Sequence, residues 1–406
     1  MFIILPSCTW TNKDKHGKCS RISVRAKVSE FLRLSSFMVT SKRLDCMTHS
    51  CTFLRLGKSS TRFFRHRTQT TSSTSIARSR GKNFVCMQIF HSFTNGTTST
   101  ASTDTVPINH FHFGSVDSTQ NKCQEIIQTY YREGNEILSA DPSAIWAVTA
   151  SEQTQGRGTS QRSWTSIPGN MFLTVAVPMD LLQLKIRTIL PLKIGTILVS
   201  CVQDFLQSRT TNAANSTTQA AEAILSLKWP NDVLLNDCKV AGVLIESFST
   251  VSNSNNQYIY YFLIGIGVNV AHTPTIFDDG RNARTATCLA DYCCIHTVDG
   301  DFKEDDTAVS LAMSITNHIH QWLSHLQQIH KNSEGEEEEQ YQIIHSWERW
   351  AQPWMGKKTY IRDQTTNNVI IPLGIQLDGQ LKVQYVSNNN SNYHQVGLLP
   401  MTDYLL

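Results

Sequence analysis

The chain has 406 residues, of which 17% are charged, and a formal net charge of +3. The charge is unevenly spread: residues 1–100 hold 17 basic and 3 acidic side chains, and the remainder holds 19 basic and 30 acidic ones. A mildly acidic body argues against nucleic acid as the main partner. No apolar run is long enough to predict a membrane span. The 11 cysteines show no CxxC spacing, which indicates reduced thiols rather than a disulfide framework or a zinc site.

Residues 1–105 form an arm rich in Ser, Thr and Arg, without a sustained helical or strand period, as in "TRFFRHRTQTTSSTSIARSR" at Thr61–Arg80. This composition is typical of an organelle transit peptide. We therefore expect a disordered targeting arm and linker that directs the protein to a mitochondrion or a plastid. An untargeted tail and a basic nucleic-acid-binding arm are the alternatives. Initiation downstream, at Met38, Met47 or Met87, would leave a cytoplasmic form.

The ordered body is expected to start near Ile108. The stretch "DSTQNKCQEIIQTYYREG" predicts a helix over about Thr119–Arg132, because a capping residue precedes an apolar face of helical spacing and a glycine follows it. "AIWAVTA" at Ala144–Ala150 and "NMFLTVAV" at Asn170–Val177 predict buried strands. A further helix is expected from Leu190, since the following proline suits a first turn.

The second half of the body predicts strands first and then helices. "LKWPNDVLL" and "KVAGVLIES" read as two strands joined by a tight hairpin at Asn236–Cys238, followed by a long apolar strand at Tyr258–Val270. Amphipathic helices are expected at Ala308–Ile329 and Tyr341–Trp350, and the acidic run Glu334–Gln340 between them is expected to be solvated surface. After Pro353 short strands alternate with polar turns.

These elements predict an α+β fold, with a mixed central β-sheet and helices on one face. The expected domains are the arm at 1–105, a body at 106–352 that carries the chemistry, and a small β domain at 353–406.

Three stretches of the body could carry chemistry. Gly156-Arg157-Gly158 follows a strand directly, and two glycines around an arginine let backbone N–H groups and a guanidinium approach an anion. The ordinary alternative is a turn with an exposed arginine. Trp164, a few residues on, offers a flat apolar surface suited to a purine, although an isolated tryptophan is more often core.

The second stretch is "KWPND" followed by "KVAGVLIE". Lys228 ends a strand, Asp232 follows a proline turn, and Lys239 opens the next strand. Lysines and a carboxylate at strand ends suit a nucleotide phosphate with its Mg²⁺, and Gly242 lets a ligand lie against bare backbone. A surface hairpin with two solvated lysines is the alternative.

The third stretch is "GIGVN", which leaves Asn269 at a strand end, where it either reads an adenine edge or forms a turn. The chain has no GxGxxG fingerprint and no GxxxxGK[ST] loop, which excludes the usual dinucleotide and P-loop sites.

In this order "DST", "GRG", "KWPND", "KVAGVLIE" and "GIGVN" resemble the biotin–protein ligases, also called holocarboxylase synthetases, from about residue 108 to 350 and more weakly beyond. The resemblance implies a fold like that of class II synthetases, with a small SH3-like C-terminal domain. It implies ATP and biotin as substrates, with Mg²⁺, and biotinyl-5′-AMP as intermediate. A lysine of a biotin carboxyl carrier domain, in acetyl-CoA carboxylase or another biotin-dependent carboxylase, would then accept the biotinyl group.

The resemblance also assigns roles to residues. Arg157, Lys239, Asp232 and Lys228 would be catalytic, with Asp232 also a ligand of Mg²⁺. The biotin-binding set would be Ser118, Thr119, Gln153, Gly156, Arg157, Gly242 and Leu244. The nucleotide-binding set would be Arg157, Gly158, Trp164, Asn231, Lys239 and Asn269.

The sequence departs from the family pattern in two places. Many relatives read Gly-Arg-Gly-Arg where this chain has Thr159, and Arg162 is a candidate substitute for the missing arginine. Gln120 stands where many relatives have Asn. The arm also lacks the winged-helix pattern of the bifunctional bacterial members, so we expect no repressor activity.

Two other functions are the alternatives to a biotin–protein ligase. A lipoate–protein ligase shares the fold and the adenylation chemistry, but the KWPND stretch favours biotin. A non-catalytic relative that binds a nucleotide or a carboxylase is supported only by Thr159. Nucleic acid and membranes are not expected as partners, and a homodimer is compatible with the resemblance.

Overall fold

The structure is a computed structural model. It describes residues 8–13, 19–24, 61–65, 75–79, 86–90, 108–133, 144–159, 162–210, 223–252, 256–275, 285–293, 304–329, 334–362, 367–386 and 395–401. The chain divides into two compact units, Met1–Thr52 and Phe53–Leu406.

Most of the arm predicted at residues 1–105 lies outside the described residues, and its described parts are short strands. In the first unit, β1 (Cys8–Lys13) pairs antiparallel with β2 (Cys19–Val24). In the second unit, β3 (Thr61–Arg65) pairs antiparallel with β4 (Ser75–Ser79). A fifth strand, β5 (Cys86–Phe90), joins the edge of the large sheet described next.

The body is built on an eight-stranded sheet with the order β5-β6-β7-β8-β12-β11-β10-β9. Only the β6–β7 pair is parallel within this sheet, so the sheet is mixed, as predicted. Its strands after β5 are β6 (Ile108–Val116), β7 (Ile145–Gln153), β8 (Met171–Pro178), β9 (Leu225–Lys228), β10 (Asp232–Leu235), β11 (Cys238–Val251) and β12 (Tyr258–Val268).

One predicted strand was wrong in its extent. "LKWPNDVLL" is not a single strand, because the chain reverses after Lys228 and β9 and β10 pair antiparallel with each other. Pro230 lies in this reversal, and its missing N–H makes it a poor member of a strand ladder. The predicted hairpin after β10 is confirmed: Asn236 and Asp237 have φ of 49° and 63°, the left-handed backbone that such a tight turn requires.

Helices cover both faces of the sheet. They are α1 (Thr119–Glu133), α2 (Leu184–Thr188), α3 (Leu190–Thr210), α4 (Glu304–Ile329) and α5 (Glu334–Ala351). The large core packs α3, α4 and α5 on one face. The prediction of helices on one face only was wrong, because α1 packs on the opposite face. The other face has a smaller core in which Cys123, Ile127 and Tyr130 of α1 pack on Trp146 and its neighbours. Among the described helices, none is long and apolar enough to cross a bilayer.

The sequence predicted that the acidic run Glu334–Gln340 is solvated surface. The structure shows instead that part of this run is buried. It forms the first turns of α5, where acidic side chains favour a helix N-terminus. Glu339 is buried and accepts a hydrogen bond of 2.8 Å from the indole of Trp322. Lys193 lies 3.4 Å from the same carboxylate. One member of the run is therefore a paired core residue.

The C-terminal strands form a four-stranded antiparallel sheet, in line with the predicted small β domain. They are β13 (Thr359–Arg362), β14 (Asn367–Ile375), β15 (Leu381–Tyr385) and β16 (Val396–Leu399). Ile370, Leu381 and Val383 belong to the large core, and the Trp229 indole donates to the Gly379 carbonyl at 3.0 Å. The buried KWPND tryptophan thus fastens this sheet to the body.

Candidate active site

A pocket of about 480 Å³, which includes space open to solvent, lies on the α1 face of the large sheet. Its walls come from the start of α1, the segment that follows β7, and the strands β8, β11 and β12. The lining residues are Thr119, Gln120, Gln153, Arg157, Gly158, Thr159, Trp164, Leu173, Asn231, Lys239, Gly242, Val243, Leu244, Gly265, Ile266 and Gly267. The structure therefore brings nine of the predicted site residues to one pocket.

The floor of the pocket is bare backbone. Gly242 of β11 lies directly opposite Gly267 of β12, and Leu244 lies opposite Gly265. Since side chains alternate across a strand, these four positions share one face of the sheet. The indole of Trp164 lies on the glycine pair so closely that a Cβ built on Gly267 would be 2.5 Å from Cε2 of the ring. Trp164 Nε1 is buried and has no hydrogen-bond partner among the described residues.

Positive charge gathers at one end of this floor. The Lys239 ammonium is 2.5 Å from Asp232 Oδ1 and 5.4 Å from the centroid of the Trp164 ring. Asp232 pairs in register with Lys228 on β9 and with Gly242 on β11. The register places Lys228 opposite Asp232, and the Lys239 side chain reaches the same carboxylate from β11. The sequence had predicted that the hairpin would bring the two lysines together.

The surroundings of Asp232 shift the pKa of its carboxyl group. Burial alone would raise the pKa of Asp232. The charges of Lys239, Lys228 and Arg162 outweigh burial and hold that pKa below its ordinary value. Three cations therefore act on one carboxylate, and the cluster carries an excess of positive charge suited to an anionic ligand.

Arg162, the residue considered as a substitute for the missing arginine, is held in place by Thr159. Its Nη2 donates to Thr159 Oγ1 at 2.6 Å and its Nε donates to the Thr159 carbonyl at 3.1 Å. Thr159 is buried and lines the pocket. The threonine that departs from the family pattern thus positions the arginine whose charge reaches Asp232.

Arg157 has two partners at the rim of the pocket. Its Nη2 lies 2.7 Å from Glu246 Oε2 on β11, and its Nη1 donates to Asn121 Oδ1 on α1 at 2.9 Å. The preceding glycine is tightly enclosed, because a Cβ on Gly156 would lie 2.5 Å from the Trp164 carbonyl oxygen. Gly156 does not line the pocket, whereas Gly158 does.

The polar residues at the start of α1 form a connected network. Both the N–H and the hydroxyl of Thr119 donate to Gln153 Oε1, at 2.9 and 3.1 Å. The Thr119 hydroxyl in turn accepts from Thr174 at 2.8 Å. Ser118 Oγ accepts from the Asn121 N–H at 3.3 Å, which caps the helix, and Ser118 does not line the pocket.

Both predicted asparagines donate side-chain hydrogen bonds to backbone carbonyls. Asn231 lines the pocket, and its Nδ2 donates to the Val243 carbonyl at 2.7 Å. Asn269 is buried outside the pocket lining, and its Nδ2 donates to the Thr287 carbonyl at 3.0 Å. Its Oδ1 has no partner among the described residues. The structure therefore does not bring Asn269 to the predicted nucleotide site.

The described residues do not fit a dedicated Mg²⁺ site. Such sites use oxygen ligands, most often one or two free carboxylates. Asp232 is engaged by Lys239 at 2.5 Å. Within the described ranges no group of three His, Cys, Asp or Glu side chains is placed to hold a metal.

Sequence reasoning assigned no ligand contact to several lining residues. Gln120 is buried and donates to the Leu244 and Leu263 carbonyls at 3.3 Å, with its side chain against Gly265. Gly265 and Gly267 were seen as part of a motif but were given no role. Their spacing of two places both on one strand face, so the signal was present. The contact of Trp164 with Gly267, about a hundred residues away, left no local signal.

Residues 117–269 match the model of the Biotin/lipoate A/B protein ligase family. This range contains every lining residue of the pocket, and it also contains the Asp232–Lys239 pair. The segment that builds the pocket therefore matches the model of that family, in agreement with the motifs.

Two curated relatives agree with this result. The chain is 32% identical over 127 residues to the biotin–[acetyl-CoA-carboxylase] ligase of Paracoccus denitrificans, covering 31% of this chain and 45% of the relative. It is 28% identical over 156 residues to the bifunctional ligase/repressor BirA of Bacillus subtilis, covering 38% and 42%. The chain thus spans less than half the length of these curated relatives. The biotin protein ligase of Leishmania major in complex with biotin, a solved structure, aligns at 25% identity with a TM-score of 0.44, over 72% of this chain and 97% of that chain.

Proposed function

We propose that this protein is an ATP-dependent biotin–protein ligase. It would activate biotin as biotinyl-5′-AMP and then transfer the biotinyl group to a lysine of a carboxylase's carrier domain. The single observation that carries the proposal is the placement of Lys239. Its ammonium lies between the Asp232 carboxylate and the Trp164 ring, at the charged end of a glycine-floored pocket.

The first step depends on hydrogen-bond donors and cations that stabilise negative charge, more than on a strong base. A carboxylate oxygen of biotin attacks the α-phosphorus of ATP, the new C–O–P bond forms, and the bond to the β-phosphate oxygen breaks to release pyrophosphate. Both reactants are anions, and negative charge builds on phosphoryl oxygens as they meet. Lys239 and Lys228 would neutralise this charge, and Arg162 would add a fixed guanidinium. Asp232 holds the Lys239 ammonium in place until the phosphate arrives.

The apolar half of the pocket suits the bicyclic ring and tail of biotin. Gly242 and Leu244 of β11, with Gly265 of β12, line this half of the pocket, and the Gln120 side chain lies against Gly265. Thr119 and Gln153 at the other end supply the hydroxyl and amide that could meet the ureido group. Trp164 and Gly158 would receive the nucleotide, with the indole as a stacking surface.

In the second step the amine of the acceptor lysine attacks the mixed anhydride at the biotin carbonyl carbon. An amide bond forms, AMP leaves with the electron pair of the broken C–O bond, and the amine loses a proton. The anhydride also reacts with water, so the site must stay closed between the two steps. One wall of the pocket is formed by Arg157, Gly158, Thr159 and Trp164, and this wall is suited to the task.

The proposal is tested by ATP–pyrophosphate exchange on the full chain, with biotin or with lipoate. We expect exchange that requires biotin and falls by at least about a hundredfold in Lys239→Ala, since one preorganised donor at a developing charge contributes that much. Lys185→Gln is the matched control, because Lys185 is also ion-paired, to Glu337 at 2.8 Å, and lies away from the pocket. Exchange that requires lipoate would assign the chain to the sister activity. A folded protein without exchange would refute both.

For the partner, we propose the biotin carboxyl carrier domain of acetyl-CoA carboxylase or another biotin-dependent carboxylase. Transfer of labelled biotin to such a domain, but not to its Lys→Arg variant, is the supporting result. For localisation, we propose that the acid-poor arm directs the protein to a mitochondrion or plastid. A fluorescent fusion of residues 1–105 that stays in the cytoplasm would contradict it.

A further inference from the structure

We propose that Gln120 is a specificity-determining residue that closes the pocket at the end remote from Lys239. Its side chain would thereby set the length of the acid that the pocket accepts. The ligand class is a carboxylic acid with a ring at its far end, of which biotin is an example. This inference rests on the proposed function, because it takes the carboxylate of the acid to lie at Lys239.

The floor of the pocket has two ends, which follow from the register of β11 and β12. At one end Gly242 lies opposite Gly267, and a Cβ on Gly242 would lie 3.1 Å from Lys239 Nζ. The next pair on the same face is Leu244 opposite Gly265, two residues further along each strand. Two residues of a strand span about 7 Å, so the second pair lies about that far from the charged end.

Gln120 covers the second pair. A Cβ on Gly265 would lie 3.0 Å from Cδ and 3.1 Å from Nε2 of Gln120, so the carboxamide rests directly on the bare backbone. Gln120 also lines the pocket. Beyond it the glycines stop, because the next pair on this face is Glu246 opposite Leu263, and Leu263 is buried in the smaller core. The carboxamide therefore stands at the end of the floor.

The Gln120 carboxamide is held in a fixed position. Its Nε2 donates at 3.3 Å to the Leu244 carbonyl of β11 and at 3.3 Å to the Leu263 carbonyl of β12. The residue is only 4% exposed. The preceding Thr119 donates to Gln153 through both its N–H and its hydroxyl, which fixes the start of α1. A side chain bound to both strands of the floor forms a wall of defined position.

A ligand that is held at both ends is sensitive to its own length. With the carboxylate at Lys239, an acid one methylene too long would press its ring against the Gln120 wall. An acid one methylene too short would leave a gap there. One methylene in an apolar pocket changes kcat/KM by about 10- to 200-fold. The length of the Gln120 side chain should therefore decide which acid is activated best.

The experiment measures pyrophosphate exchange on the full chain with biotin and with analogues whose side chain is one methylene longer or shorter. Gln120→Asn shortens the wall by one methylene and should raise the kcat/KM of the longer acid, relative to biotin, at least about tenfold. Gly265→Ala adds a methyl group at the same end of the floor and should favour the shorter acid about two- to tenfold. Gln128→Asn is the matched control, because Gln128 is an exposed residue of the same helix outside the pocket lining, and it should leave both ratios unchanged.

Gln120→Met separates the effect of length from that of hydrogen bonding, because methionine has the length of glutamine without the amide. This variant should keep the length preference of the wild type. Each ratio compares two acids in one protein, so a loss of folded protein cancels. An unchanged ratio in Gln120→Asn, or a shift in Gln120→Met as large as that in Gln120→Asn, would overturn the proposal. Absence of biotin-dependent exchange in the wild type would instead refute the proposed function.

Discussion

Gly267→Ala is the substitution whose effect follows most directly from the geometry of the pocket. The added Cβ would lie 2.5 Å from Cε2 and 2.6 Å from Cζ2 of the Trp164 indole. Carbon atoms in ordinary contact are about 3.5–4.0 Å apart, so the ring must move away from the sheet by roughly 1 Å. Gly242 lies opposite Gly267 in the register, so the ring loses its flat seat on both residues.

Trp164 is only half-buried and lies on a loop, so the ring can yield to the new methyl group. We therefore expect a loss of stability below about 1 kcal/mol, less than the 1–3 kcal/mol typical of an overpacked rigid core. The larger effect falls on the ligand. If the indole stacks on adenine, a displaced ring forfeits about 0.5–1.5 kcal/mol of stacking, which corresponds to an ATP affinity lowered about two- to tenfold.

The assay is pyrophosphate exchange at varied ATP, beside thermal unfolding of the same samples. Gly114→Ala is the matched control, because it lies on β6 of the same sheet and a Cβ there would meet nothing within 4 Å. An unchanged KM for ATP in Gly267→Ala would refute the stacking role of Trp164. A loss of stability above about 3 kcal/mol would show that the ring cannot yield, contrary to the reasoning.

Two further predictions concern other parts of the body. Burial, and then the charge of His112, lower the pKa of His110 to about 4 from an ordinary 6.5, so the unfolded chain binds the proton first. The free energy of unfolding should therefore fall by roughly 3 kcal/mol as the pH drops from about 6.5 to 4. In urea unfolding, His110→Asn should show a smaller dependence of this free energy on pH than the wild type. An equal pH dependence in the two proteins would contradict the prediction. Thr159→Val removes the 2.6 Å partner of Arg162 and should raise acceptor-independent ATP hydrolysis about tenfold, while Thr159→Ser should behave as the wild type. Equal leakage from both variants would refute the positioning role of Thr159.

Local signals in the sequence predicted the elements well. The helix at Thr119–Glu133 was found within one residue of its end, because a capping residue, an apolar stripe and a terminal glycine all agreed. The hairpin at Asn236 and Asp237 was found because two left-handed residues in a row restrict the choice of side chain. Such features depend on neighbours in the chain.

Features that depend on distant contacts were not predictable in the same way. The burial of Glu339 requires the Trp322 indole from another helix. The role of Trp229 as an anchor requires Gly379, 150 residues away. The motif that suggested a nucleotide role for Asn269 also could not reveal that its amide is bound to the Thr287 carbonyl.

The glycines of the pocket floor distinguish this part of the sheet from an ordinary β-sheet. A glycine in a strand interior costs about 0.5–1 kcal/mol relative to alanine, so sheet stability gives no reason for three of them on one face. Gly242, Gly265 and Gly267 nevertheless share the α1 face of β11 and β12. Gln120 lies against Gly265, and Trp164 lies against the other two. The missing Cβ atoms thus let the Trp164 indole and the Gln120 side chain lie close to the backbone, where they form walls of the pocket in which the proposed bicyclic ring and purine would lie.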